Sequence, residues 1–119
     1  MDIPKIFESE YRFCEILWET EPIGSGELAV LCAERLGWKK STTYTVIKRL
    51  SQRKVIKSEH SVVTSLVSRE EAQEAESEEI VRKSFNGSLP CFFAAFTRKT
   101  KLSAQEIAQI RKMIDEMED

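Results

Sequence analysis

The chain has 119 residues, 20 acidic and 18 basic, with a net charge of -2 and 41% hydrophobic content. That is enough for one compact domain with a modest core, or for a small domain with an appended oligomerisation element. The N-terminal residues lack a basic and apolar leader pattern, and the longest uncharged run, residues 84–97, is too short to span a bilayer, so a cytoplasmic chain with no membrane partner is expected. Cys14, Cys32 and Cys91 are far apart and embedded in apolar patterns. They read as reduced core residues, with no metal site and no cofactor implied.

In chain order, Ser9 is a plausible cap for a first helix over residues 9–20, with Glu10 near its positive end. Tyr11, Phe13, Cys14, Ile16, Leu17 and Trp18 are more numerous than one apolar stripe needs, so this helix should pack on two sides. Pro22 and Gly24 break it. Ser25 can cap a second helix over residues 26–36, with Leu28, Leu31, Cys32 and Leu36 facing inward and Gly37 ending it in the left-handed conformation. Gly24 and Gly26 do not make a phosphate loop, because no third glycine or lysine follows at the required spacing.

Residues 38–54 form the stretch around which the chain is organised. At helical spacing Thr43, Val46, Ile47 and Leu50 gather on one side. The other side holds Ser41, Tyr44, Thr45, Lys48 and Gln52, flanked by Thr42 and Arg49. From Arg35 to Lys57 there are eight cations (Arg35, Lys39, Lys40, Lys48, Arg49, Arg53, Lys54 and Lys57) and no carboxylate. A charged helix face is usually a solvated one. An acid-free basic strip inside an acidic chain, rich in short hydrogen-bonding side chains, points instead to DNA. Arg49, near the flank, could face phosphate or pair with a carboxylate of the first helix.

Residues 55–57 and 62–67 are β-branched runs separated by residues 58–61, which predicts a β-hairpin. Two helices, a basic third helix and a hairpin follow the order of a winged helix-turn-helix, whose third helix enters the major groove. Ser68 and Glu71 then form a capping box opening an acidic helix that Asn86 and Gly87 stop, and a domain boundary is expected at Ser68, giving ranges 1–68 and 69–119. Leu89, Phe92, Phe93 and Phe96 recur at i, i+3, i+4 and i+7. Ser103 and Glu106 make a second capping box before Ile107, Ile110, Ile114 and Met117. A three-helix appendage of this size buries two such stripes poorly alone, which favours a homodimer over packing of the stripes on one another.

The fold class expected is therefore mainly α, an N-terminal winged helix with a small hairpin followed by a helical dimerisation domain. An enzyme is not expected, since the single histidine, His60, falls in the hairpin turn without a nucleophile motif. A winged-helix adaptor that binds an acidic protein remains the alternative.

Trp38 followed by Thr42, Thr45, Arg49 and Leu50, the Ser9 to Trp18 opening, the Leu66 to Ser68 exit and the residue 85–103 tail resemble the penicillinase-repressor family of winged-helix repressors. The resemblance covers nearly the whole chain. It implies a repressor that binds a dyad-symmetric operator in double-stranded DNA as a homodimer and is released by proteolysis, through a sensor-linked protease, or by another signal. The bond corresponding to the family's cleavage position is Ala95–Phe96, where alanine replaces the asparagine of the antibiotic-responsive members. The paired-cysteine tail of the copper-responsive branch is absent. The hairpin is abbreviated, and Lys54 stands where the family usually has glycine before the first strand.

Overall fold

The computed structural model describes residues 2–118. Its elements are α1 (Glu8–Thr20), β1 (Ile23–Gly24), α2 (Ser25–Leu36), α3 (Lys40–Gln52), β2 (Ile56–Glu59), β3 (Val62–Ser65), α4 (Arg69–Phe85), α5 (Leu89–Thr97) and α6 (Ala104–Met117). The chain divides into two compact units, Met1–Glu76 and Ser77–Asp119. The outer ends of the expected ranges 1–68 and 69–119, Met1 and Asp119, lie outside the described residues.

The first unit is a winged helix-turn-helix. Phe13 and Leu17 of α1, Leu28 and Cys32 of α2, Leu50 of α3, and Ile56 and Val63 of the hairpin are all fully or almost fully buried and form one core. As its composition suggests, α1 packs broadly: Phe13, Cys14, Ile16 and Leu17 are buried, while Tyr11 and Trp18 are half-buried. Trp38 lies parallel to Phe13 with ring centroids 6.2 Å apart.

Three local expectations need correction. The first helix begins at Glu8 after Phe7, not at a Ser9 cap, because the Glu10 carboxylate accepts a hydrogen bond from the Phe7 amide at 3.0 Å. The second begins at Ser25, whose amide donates to the Ser61 carbonyl at 2.8 Å, so Gly24 takes the cap position. Gly24 also belongs to a third strand that residue alternation could not reveal in only two residues: β1 pairs antiparallel with β3, giving the order β1-β3-β2. Within the expected hairpin, Ile56 pairs with Ser65 and Glu59 with Val62. His60 and Ser61 close it with φ of 51° and 63°, and a two-residue turn with both φ positive matches the twist of the flanking strands.

Gly37 ends α2 in the left-handed conformation as expected. At the end of α3, Lys54 adopts φ 66°, which an L side chain tolerates at some cost. Glu21, at the end of α1, accepts hydrogen bonds from the Ser65 amide at 2.8 Å and the Ser65 hydroxyl at 2.7 Å, and the Trp18 indole donates to the Val67 carbonyl at 2.9 Å. These bonds hold the outgoing chain on α1 as it enters α4, whose start is fixed by the reciprocal Ser68 and Glu71 capping box.

In the second unit, Asn86 and Gly87, both at positive φ, end α4, and Ser88 caps α5. Phe92 meets Phe85 edge-on at 5.5 Å and stacks on Phe96 at 6.2 Å. Ser103 and Glu106 form the capping box of α6. None of the described residues of α5 or α6 is buried within the chain. This corrects the reading of Cys91 as a core residue: it is exposed on α5, whereas Cys14 and Cys32 are buried.

Lys54→Gly should raise unfolding stability by about 0.5–1 kcal/mol by relieving the left-handed backbone. Leu50→Ala should lower it by about 3 kcal/mol by opening a cavity in a fully buried site. Urea unfolding of the two variants against the unaltered chain checks both signs.

Candidate nucleic-acid interface

Helix α3 has the two faces that its sequence pattern predicts. Thr43, Val46, Ile47 and Leu50 are buried; Ser41, Thr42, Tyr44, Thr45, Lys48, Arg49 and Gln52 are exposed. No acidic residue lies in its first turn and no side chain caps it. The Thr42 and Thr43 amides donate to the Lys39 carbonyl at 3.0 and 3.2 Å, which leaves the Lys40 and Ser41 amides available to a phosphate oxygen, with the Lys39 and Lys40 side chains beside them.

Within the exposed face, the Lys40 ammonium sits 5.9 Å from the centre of the Tyr44 ring, a contact that keeps the ring and the charge together. The Thr45 hydroxyl donates to the Ser41 carbonyl at 2.9 Å. Its proton is thus used inside the helix, leaving the oxygen lone pairs and the methyl group for contacts outward.

The eight cations of the strip are not equivalent. Arg35 pairs with Glu19 at 2.9 Å and Lys57, on the wing strand β2, pairs with Glu59 at 3.3 Å; both pairs are exposed. Arg53 is tied to Glu10. Among the described residues, Lys39, Lys40, Lys48, Arg49 and Lys54 form no ion pair, and four of these five lie on α3 or at its start. The wing adds Lys57 together with the exposed Ser58, His60 and Ser61, and the Glu59 carboxylate beside Lys57 weakens its appeal to phosphate.

The carboxylate of the first helix is matched by Arg53 and not by Arg49. Arg53 donates to Glu10 through both arms of its guanidinium, at 2.8 and 2.7 Å. Glu10 is only 2% exposed. Burial pushes its carboxyl up, but the Arg53 hydrogen bonds, the Phe7 amide and the charges of Arg53 and Arg49 outweigh that and hold it below the ordinary carboxylate value. Sequence reasoning missed this pair, although a signal was present: Glu10, Phe13, Cys14 and Leu17 share helical spacing, so the acid lies on the apolar stripe and requires a buried partner.

The sequence model of a family described as penicillinase repressor matches residues 6–116. The chain belongs to the penicillinase repressor family. This membership makes it a DNA-binding transcriptional repressor, and members of the family are regulators, not enzymes. No curated protein sequence matches it significantly. Among the described residues no helix is long and apolar enough to cross a membrane. In this penicillinase repressor, α3 is the third helix of the winged helix-turn-helix and precedes its hairpin.

Because the folded value of Glu10 lies below its unfolded one, its contribution to stability is complete above the unfolded value, about pH 4.3, and disappears as pH falls through the folded value. Glu10→Gln should cost about 2 kcal/mol at neutral pH, the scale of charge-assisted hydrogen bonds to a buried group. Denaturant titrations at stepped pH should show the unaltered chain losing this increment on acidification and the variant lacking that part of the loss.

Proposed function

We propose that this repressor binds a dyad-symmetric operator as a homodimer, reading base edges with Thr42, Tyr44, Thr45 and Lys48. Lys39, Lys40, Ser41 and Arg49 contact the phosphate backbone around the start and flank of α3, and Lys57 adds a weak wing contact. The observation that carries this reading is the exposed face of α3, which is polar, free of acids and supplied with cations that form no ion pair among the described residues. A face of this kind reaches into a major groove without repulsion, and its short side chains allow close approach to the bases.

Residues 69–119 act as the dimerisation domain and residues 1–68 as the DNA-binding domain. Leu89, Phe93 and Phe96 on α5 and Ile107 and Ile114 on α6 are all substantially exposed in the single chain, with Phe92 and Ile110 half-buried beside them. So large an apolar surface is rare on a monomer, and a second copy of the same surface covers it with two-fold symmetry. Two copies of α3 then address successive turns of one DNA face, and the operator is an inverted repeat.

Release follows when a signal removes that apolar surface. A sensor-linked protease cutting Ala95–Phe96 would do so, since the bond lies inside α5. The helix must open for the bond to enter a protease, and alanine before the bond makes it a poor substrate for a protease that selects asparagine.

A mobility-shift series tests the reading. Alanine at Thr42, Tyr44, Thr45 and Lys48 together should abolish preference for the selected operator. Lys40→Ala should weaken all duplexes and make the log-log salt dependence shallower by about 0.9. Phe92→Asp with Ile110→Asp should yield a monomer by sedimentation, with the first unit still folded and most operator affinity gone. Unchanged operator binding by the quadruple variant, or a monomeric unaltered chain at micromolar concentration, contradicts the proposal.

A further inference from the structure

We infer that Arg53 is a positioning residue for DNA recognition, clamping the far end of α3 to α1 and to the segment before α1. It therefore sets the angle at which the reading face meets the duplex. The inference rests on α3 being the element that reads DNA.

Arg53 terminates α3, immediately before left-handed Lys54 and the strand β2. Its guanidinium engages both oxygens of Glu10 and also donates to the Lys5 carbonyl. The Phe7 ring lies 5.3 Å from the guanidinium and 5.2 Å from the Lys5 ammonium, and the Phe7 amide donates to the same Glu10 carboxylate. Ile3 and Ile6 pack half-buried against the core, so the segment that supplies these partners is itself anchored.

Two kinds of contact thus hold α3, with different consequences. The buried stripe decides which face of the helix points outward, but the hydrophobic term that drives its burial is itself non-directional. A two-armed guanidinium–carboxylate pair has fixed distances and a fixed plane, so it locks the end of the helix in register with α1. Glu10 is 3% exposed at its side chain and Arg53 30%, and both terminal nitrogens of the guanidinium already donate to partners within the fold, Glu10 and the Lys5 carbonyl. In the basic strip Arg53 looks like one more phosphate contact. Its geometry assigns it to alignment.

The two roles give opposite results when Glu10 alone is changed. Duplexes enriched by the unaltered chain from a random pool, and scrambled controls, are titrated with the full-length chain and with Glu10→Gln, Arg53→Lys and the exchange of Glu10→Arg with Arg53→Glu. Folding of each is monitored at the assay temperature. For a positioning residue, Glu10→Gln and Arg53→Lys reduce preference for the enriched duplex roughly tenfold, the scale of one mismatched base pair, while scrambled-duplex affinity and salt slope change less than about twofold. The exchange restores part of the preference. If Arg53 is a phosphate contact held back by Glu10, then Glu10→Gln binds both duplexes more tightly and steepens the salt slope by about 0.9, which overturns the inference. Preference retained by both single variants also overturns it, leaving the reading of α3 intact. Should Glu10→Gln fail to fold, Arg53→Lys decides alone by the same criterion. No preference in the unaltered chain would overturn the reading of α3 and the positioning role together.

Discussion

Four side chains on one side of α3 constrain everything else in the first unit. Thr43, Val46, Ile47 and Leu50 are buried against residues of α1, α2 and the hairpin, and each large apolar member stabilises the fold by about 1.5–3 kcal/mol. Turning the helix by one residue would exchange them for Tyr44, Lys48 or Arg49 and bury an uncompensated charge, which costs more than the apolar contacts return. The polar face has no alternative but to point outward. Function in this repressor begins with that exclusion, because an outward face without acids and with five cations in or beside it can approach a polyanion.

Charge distribution decides how strongly. The chain as a whole is slightly acidic, so its attraction for DNA is local and works within a Debye length of roughly 8 Å at physiological salt. Ion pairs refine the picture further. Arg35 and Lys57 are each beside an exposed carboxylate, and such pairs lower the local field even where they add little stability. The attraction that remains is concentrated at the start and along the exposed side of α3. The wing's one lysine is already paired, so in the proposed complex it adds little to what α3 offers.

How much of this was legible in the sequence depends on the range of the interactions. The two faces of α3 were readable because thirteen residues give the helical period several turns in which to repeat. The capping boxes at Ser68 and Ser103 were readable because both partners lie within three residues. The strand β1 was not, since two residues carry no period, and its pairing with β3 depends on chain folded later. Within the candidate site, the exposed residues could be named, but not which cations were engaged: Glu19 lies 16 residues from Arg35, and Glu10 lies 43 from Arg53. Cys91 was misjudged for a related reason. An apolar neighbourhood in sequence implies burial only if something covers it, and among the described residues nothing buries α5.

The central claim is that the exposed face of α3 is the surface that meets DNA, and Tyr44 reports on it most directly. Its ring is 39% exposed in the free protein and lies in the middle of the proposed contact surface. Hydroxyl-radical oxidation of the full chain, read residue by residue by mass spectrometry with and without a saturating inverted-repeat duplex, measures whether that ring is covered. Oxidation of Tyr44 should fall several-fold on binding while Phe7, 53% exposed on the segment before α1, keeps its reactivity. Undiminished oxidation of Tyr44 in the saturated complex would contradict the account, because DNA would then be bound through some other surface.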